Sequence, residues 1–294
     1  MANLIILIGL PGSGKSTYAR QYVNDHLGKA VWRSSDVCRA QLYGDARIQG
    51  NPQKVFKKLH EEVKLALLRG FDVLYDATNV NRKSRKAAIQ LGKDCGANIH
   101  AHIIWAPVET CVQRDSQRDR TVGYDVIKKM LYRFEAPYYD EGFDEIKIVY
   151  SEGEAFNDFA YTKEYIEKLR IPHDNPHHEL DVDKHCLRAH DIVWNMTDDN
   201  SIRYATLWHD IGKPHTKFFK DGETVAHYYN HDNVGAYLSY GLDQVRREKV
   251  DPILVPWLIS NHMQPYFNSA YYNNLTEELK NKIDLLHYAD HNAH

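Results

Sequence analysis

No uninterrupted apolar run in this 294-residue chain is longer than Leu4–Ile8. A helix that crosses a bilayer needs about 20 such residues, so no membrane span is expected. The same run lacks a basic leader and a small-residue cleavage site, so it does not read as a signal peptide. Cysteine is scarce and scattered: Cys38, Cys95, Cys111 and Cys186 form no C-x-x-C pair. That excludes a disulfide framework and points to a reduced, cytoplasmic protein. Strong charge of one sign is also missing, with 37 Lys+Arg against 40 Asp+Glu. Long-duplex binding by charge alone is therefore excluded. No internal repeat is present, and no strand series follows Tyr150.

What is present is unevenly spread. Apolar content of 43% and charged content of 26% are ordinary for globular protein, and the length suits two domains. Residues 1–170 carry 26 Lys+Arg and 22 Asp+Glu, residues 171–294 carry 11 and 18, and 13 of the 17 histidines fall in the second part. A mildly basic front suits polyanionic ligands, and an acidic, histidine-loaded back suits metal ions.

The front alternates strand and helix signals. Leu4–Gly9, Lys29–Arg33, Asp72–Tyr75, Asn98–Trp105 and Glu145–Val149 read as strands. Lys15–His26, Gln53–Arg69, Arg82–Leu91 and Val108–Gln117 read as helices between them. Such alternation predicts a parallel sheet flanked by helices. Beyond Tyr150, Tyr161–Leu169 reads as a helical connector, and only helical patterns follow, such as Asn233–Lys249 and Pro252–Asn261. The expected organisation is an α/β domain over 1–152, a connector over 153–171 and an all-α domain over 172–294.

Gly9-x-x-x-x-Gly14-Lys15-Ser16 fits G-x-x-x-x-G-K-[ST] between a strand and a helix. In such a loop Gly9, Gly12 and Gly14 let backbone N–H groups converge on phosphates, with Ser13 and Thr17 completing the nucleotide site. Lys15 reaches the terminal phosphates and Ser16 holds Mg²⁺, so ATP or another nucleoside triphosphate with Mg²⁺ is expected. Transfer to a hydroxyl needs a proton acceptor and a nearby cation. "RSSDVCRAQL" offers Asp36 and Arg39, although Asp36 could instead cap the next helix. "YDATNVNRKSRK" offers Asp76, Thr78 and Asn79 for the acceptor or the metal, with a structural carboxylate as the alternative for Asp76. "ETCVQRDSQRDR" places Arg114 and Arg118 four apart on one helix face, with Arg120 behind. These arginines suit a lid over the triphosphate, or else a surface helix paired with Asp115 and Asp119.

In order, "GLPGSGKST", "SSDVCR", "DATNVNRKSR" and "QRDSQRDRTVGYDVI" resemble the 5′-hydroxyl polynucleotide kinases of phage and bacterial nucleic-acid repair, over about residues 1–140. The resemblance implies a P-loop kinase domain in which Lys15 and Ser16 bind phosphate and Mg²⁺. It makes Asp36 the general base on a 5′-OH, Arg39 its phosphate-side partner, and Arg114 and Arg118 the lid arginines. Ser35 departs from relatives that carry a charged residue before the aspartate.

In the back half, "LWHDIGKPHTK" has company: His185 upstream, His231 and His262 downstream, and Asp290 near the end. Imidazoles with carboxylates suit Mn, Fe, Co, Ni or Zn, and Asp210 could bridge two such ions. Lys213, one turn after His209, could neutralise a bound phosphate. The alternative is a helical bundle with hydrogen-bonded histidines.

The segments "NPHHELDVDKHCL", "ATLWHDIGKPHTK", "YNHDNVGAYL", "LISNHM" and "HYADHNAH" resemble the HD phosphohydrolase superfamily, closest to the HD domains of bacterial tRNA nucleotidyltransferases. The resemblance implies an all-α HD domain with one transition metal on His185, His209, Asp210 and Asp290, and a second on Asp210, His231 and His262. His173, His177, His178, His190, His215 and His287 are assigned to the surface or to supporting positions, and His227 stays open. The chain stops four residues after Asp290, which predicts an unusually short last helix.

Together these features predict nucleic-acid end repair, with RNA favoured over DNA. A 5′-OH end is phosphorylated, and a 2′,3′-cyclic or terminal 2′ or 3′ phosphate is removed. A separate ligase would seal the break, and a homo-oligomer is compatible with the sequence. Two alternatives stand beside this: a nucleoside or sugar kinase fused to an HD nucleotidase, and a non-catalytic ATP-sensing module that binds RNA.

Overall fold

The structure is a computed structural model that describes residues 1–153, 156–175, 180–246 and 250–293. The chain divides into two compact units, Met1–Met130 with Pro137–Gly153, and Leu131–Ala136 with Glu154–His294. The stretch expected as a connector lies mostly in the second unit, and so does the short segment after residue 130.

The first unit is built on a five-stranded sheet in the order β2-β3-β1-β4-β5, with β1 Asn3–Ile8, β2 Ala30–Ser34, β3 Asp72–Asp76, β4 Asn98–Trp105 and β5 Glu145–Tyr150. All four pairings are parallel. Leu4–Ile8 is buried throughout, as expected of a central strand covered on both faces. Helices α1 Lys15–Asp25, α2 Ser35–Tyr43, α3 Pro52–Leu68, α4 Arg82–Asp94, α5 Val108–Ser116 and α6 Tyr124–Leu131 connect the strands. Register does the positioning. Leu7 pairs with Asp76, and Ser34 pairs with Asp76 from the other side, so three strand ends reach one edge together. β1 has β3 on one side and β4 on the other, which opens the crevice where ligands bind in such sheets.

Two local readings change. Ser34, rather than Asp36, caps α2: its hydroxyl accepts the Asp36 N–H at 3.2 Å. The expected helix through Gln117 ends at Ser116, so Arg118 lies in the turn after α5 and does not share a helix face with Arg114.

The second unit contains α7 Asp158–Lys168, α8 Val182–Trp194, α9 Asn200–Trp208, α10 Lys213–Thr216, α11 His231–Ser239, α12 Asp243–Arg246, α13 Leu254–Asn261, α14 Gln264–Phe267, α15 Ala270–Asn273 and α16 Glu277–His291. It also has a two-strand ladder, β6 Phe218–Phe219 against β7 Ala226–His227, which helical periodicity could not reveal. Every residue of α13 is buried, because "LVPWLISN" is apolar on nearly all sides. It packs against α9, α11 and α16. Burial of Trp257, Leu258 and Ile259 contributes about 1.5–3 kcal/mol each. Phe134 adds a fully buried ring 5.2 Å from Tyr237.

The expected helix over Asn233–Lys249 is interrupted after Ser239, and residues 247–249 lie outside the described residues. The last helix, expected to be short, has 15 residues and begins on a Thr276 cap. No helix among the described residues is long and apolar enough to cross a membrane.

Candidate active sites

In the first unit a cavity of about 600 Å³ opens at the carboxyl edge of the sheet. Its lining includes Gly9, Lys15, Ser16, Asp36, Arg39, Asp76, Thr78, Arg118 and Arg120. The loop that enters it needs glycine for a steric reason. Gly12 has φ +84°, and a Cβ there would stand 2.1 Å from the Cys111 carbonyl oxygen. The Ser13 hydroxyl oxygen is buried without a hydrogen-bond partner among the described residues, leaving polar capacity for a ligand. Lys15 donates to the carbonyls of Gly9 and Leu10, both at 2.8 Å. Burial lowers its ammonium pKa, and Asp76 opposes that shift.

Ser16 Oγ donates to Asp76 Oδ2 at 2.9 Å, and Trp32 Nε1 donates to the same oxygen at 3.1 Å. A hydroxyl beside a strand-end carboxylate at the head of a phosphate loop fits a Mg²⁺ ion, with Ser16 and Asp76 as the groups near it. Asp36 is ion-paired with Arg39 and with Arg120, whose Nη1 lies 3.0 Å away. Arg114 is engaged elsewhere, with Ser151 at 2.9 Å and Glu152 at 2.8 Å. Asn79 is buried and its amide donates to Leu7 O at 2.9 Å, so it fastens β1 to the loop after β3. Asp115 is not paired with the arginines as a surface helix would require. It is buried and accepts the N–H groups of Val122 and Gly123 at 3.0 and 2.9 Å, fixing the loop that carries Arg118 and Arg120.

The second unit brings together His185, His209, Asp210, His231, His262 and Asp290, each no more than 8% exposed. They arrive from five elements: α8, the end of α9 with the turn after it, the start of α11, the end of α13, and α16. His209 terminates α9 and Lys213 opens α10, so the two do not share one helix. Gly212 lies between them, where a Cβ would come within 2.1 Å of the His231 carbonyl oxygen. Only glycine lets that turn lie against α11.

The hydrogen bonds of the rings fix what they offer inward. The Nδ1 atoms of His185, His209, His231 and His262 lie 3.0, 2.7, 2.8 and 2.7 Å from the carbonyls of Ala293, Thr206, Tyr228 and Ile259. A carbonyl only accepts, so Nδ1 carries a proton, and each ring in its neutral form presents a lone pair at Nε2. Those lone pairs face other acceptors. His231 and His262 meet Nε2 to Nε2 at 3.1 Å, and His185 and His209 at 3.3 Å. Asp290 Oδ1 is 2.9 Å from His185 and 3.2 Å from His209. Asp210 places Oδ2 3.3 Å from His209 and Oδ1 3.3 Å from His231. Acceptors packed against acceptors call for cations between them, and the outer carbonyl bonds are those that orient histidine ligands.

Among the described residues, two sets built of imidazole and carboxylate alone are close enough to hold an ion: His185, His209 and Asp290, and Asp210, His231 and His262. Nitrogen with carboxylate oxygen fits a first-row transition metal. Burial, with His231 and His209 nearby, pushes His262 down to about 3, which keeps it neutral. Burial also opposes charge on His209, but Asp210 and Asp290 outweigh it and hold that imidazole well above its ordinary value. A proton and a metal ion therefore compete there.

Lys213 Nζ is 2.7 Å from Asp210 Oδ2 and 3.0 Å from His173 Nε2. His173 was assigned to the surface or to a supporting position. It is buried, and its Nδ1 lies 2.6 Å from Leu180 O, so Nε2 accepts from the lysine. His177 and His178 lie outside the described residues. Cys186, His209 and Asp210 form a further close set, with burial pushing the thiol up to about 12. Tyr266 lies one turn beyond His262, half exposed, its phenol pushed up to about 12 by burial and then by Asp290 and Asp210. Adjacency to His185 is the only signal for Cys186, and of the two positions open to His173 the supporting one holds.

Residues 4–137 match the family model described as an AAA domain. L-seryl-tRNA(Sec) kinase of Methanococcus maripaludis is 27% identical over 146 residues, 46% of this chain and 53% of that protein. A protein of Acanthamoeba polyphaga mimivirus named as a bifunctional polynucleotide phosphatase/kinase is 26% identical over 50% of this chain and 32% of its own length. The A-adding tRNA nucleotidyltransferase of Deinococcus radiodurans is 43% identical over 65 residues, 21% of this chain and 15% of that protein. This chain thus spans about half or less of these relatives. The first unit is a P-loop domain similar to the AAA family.

Proposed function

We propose that the chain is a bifunctional nucleic-acid end-repair enzyme. In this reading the first unit transfers phosphate from ATP to a 5′-OH, and the second is an HD-type phosphohydrolase that removes a 2′,3′-cyclic, 2′ or 3′ phosphate. The observation that carries it is the convergence of four Nε2 lone pairs and two carboxylates in the second unit of a chain whose first unit holds a phosphate loop. Such a centre joined to a phosphate-transferring one makes a polynucleotide end a more coherent substrate than a small metabolite. The similarity to the mimivirus protein named as a phosphatase/kinase, which covers half of this chain, supports a polynucleotide as the acceptor.

In the kinase reaction Lys15 exchanges its loop carbonyls for phosphate oxygens, and Ser16 and Asp76 would hold a Mg²⁺ ion, which would neutralise phosphate charge. Asp36 accepts the proton of the attacking hydroxyl. Arg39 and Arg120 hold that carboxylate in place, and Arg118, which lines the same cavity, would offset charge on the transferring phosphate. In the hydrolase, His185, His209, Asp290, Asp210, His231 and His262 would hold two ions. Those ions would supply activation of a water and charge neutralisation at phosphate. Lys213 adds a positive charge beside Asp210, positioned by His173.

The test has two arms. A 5′-OH oligonucleotide should outcompete nucleosides and sugars for labelled ATP, and the protein loaded with Mn²⁺ or Ni²⁺ should release phosphate from cyclic-phosphate ends. Preference for a free nucleoside or sugar would replace the polynucleotide reading. A purified chain that binds no transition metal would remove the hydrolase.

A further inference from the structure

We propose that the β6–β7 hairpin is a nucleobase-stacking platform for the unpaired strand end whose phosphate enters the His/Asp centre; this rests on the phosphohydrolase reading above. The hairpin has an inner and an outer face. Ala226 is fully buried, and its N–H donates to Asp174 O at 2.7 Å, which anchors the inner face. The outer face gathers rings. Phe218 and His227 lie 5.4 Å apart, Phe218 and Tyr229 5.4 Å, and His227 and Tyr229 5.5 Å, tilted by 31–55°. Phe218 is 37% exposed and Tyr229 57%, so these rings pack on one another while much of their surface meets solvent. An exposed aromatic cluster of this kind marks a binding surface.

The platform is continuous with the centre. Lys217 follows Lys213 by one helical turn, its N–H donating to Lys213 O at 3.0 Å. Tyr228, next to Tyr229, hydrogen-bonds the carbonyl of His173, and its ring lies 5.4 Å from Lys213 Nζ. Tyr229 is two residues before the ligand His231. Flat, uncharged π faces beside a lysine and next to a phosphate-handling centre match one chemistry, a base attached to the phosphate being processed. The stack tolerates any base, so the platform selects single-stranded nucleic acid over free phosphate esters without reading sequence. It also gives His227 a role: bonded to Glu223 at 2.8 Å, it is a platform ring and not a metal ligand.

The test compares steady-state hydrolysis by the full-length, Mn²⁺-loaded protein on two probes. One is an oligonucleotide ending in a 2′,3′-cyclic phosphate, and the other is glycerol 1,2-cyclic phosphate, which has no base. In the Phe218→Ala/Tyr229→Ala variant, KM for the oligonucleotide should rise about tenfold or more with little change in kcat. The glycerol probe should be unaffected. Phe218→Trp should hold the oligonucleotide KM at or below its original value. Equal losses on both probes would make the rings a structural support, and no change on either would make them idle; each overturns the platform while leaving the hydrolase standing. If the unmodified protein hydrolyses neither probe, the hydrolase reading fails and the platform falls with it.

Discussion

Asp210→Asn separates the structural work of the Asp210 carboxylate from its chemistry. Lys213 is 6% exposed, and its ammonium lies 2.7 Å from Asp210 Oδ2. In chelator-treated protein, neutralising Asp210 leaves that buried charge without a counter-ion. Breaking a buried pair from one side costs about 3–5 kcal/mol. The lower end applies, because the amide oxygen of asparagine still accepts a hydrogen bond. Adding Lys213→Met removes the stranded charge and keeps much of the side-chain volume. What remains is the lost donor to His173 Nε2, about 1 kcal/mol, and a weaker hold on the His209 imidazole, which Asp290 still faces at 3.2 Å. The double variant should therefore recover most of the stability lost by the single one, a coupling readable by denaturant unfolding of all four members of the cycle. Its chemistry should not recover. Metal content should fall below two ions per chain, and phosphate release should drop by about a thousandfold or more, while ATP-dependent phosphorylation continues. A double variant that keeps both ions, or a single variant as stable as the parent, would refute the reasoning.

Gly12→Ala forces a Cβ to within 2.1 Å of the Cys111 carbonyl oxygen at a positive φ, so nucleotide affinity measured by calorimetry should weaken at least about tenfold with the hydrolase unchanged. Asp115→Asn disturbs the two N–H bonds that fix the Arg118–Arg120 loop; the kinase kcat should fall about a hundredfold, and an unchanged rate would remove that role. Burial, with Lys147 and His100 nearby, pushes His102 down to about 4. The folded ring thus stays neutral where the unfolded one takes a proton, and its stabilising contribution is complete above about pH 6.5 and lost as pH falls toward 4. That loss is about 2 kcal/mol at pH 5, checked by titrating His102 by NMR and by unfolding His102→Gln at pH 7 and pH 5; an NMR pKa near 6.5 would contradict it.

Short-range signals were legible and long-range ones were not. The phosphate loop could be read because its geometry is local: a buried strand, glycines at fixed offsets, a helix. The six His and Asp positions could be named because their order follows a known pattern, and the fold brings them together in the second unit. His173 could be given only as a surface or supporting group, because its meeting with Lys213 spans 40 residues and leaves no periodic trace. Arg118 was placed on a helix because four-residue spacing cannot show where that helix ends. Asn79 and Asp115 looked like surface or substrate groups because a polar residue in a motif is read outward. Both instead spend their hydrogen bonds holding the scaffold, Asn79 on β1 and Asp115 on the loop at Val122 and Gly123.

The central claim is that one chain holds two separable phosphate chemistries. The direct measurement uses broken RNA carrying a 5′-OH on one side and a 2′,3′-cyclic phosphate on the other, given to the full-length protein with ATP, Mg²⁺ and Mn²⁺. The unmodified chain should convert both ends. Asp36→Ala should leave the 5′-OH untouched and still open and clear the cyclic phosphate. Asp210→Asn/Lys213→Met should do the reverse. Loss of both conversions in either variant, or conversion of only one end by the unmodified chain, would contradict the account.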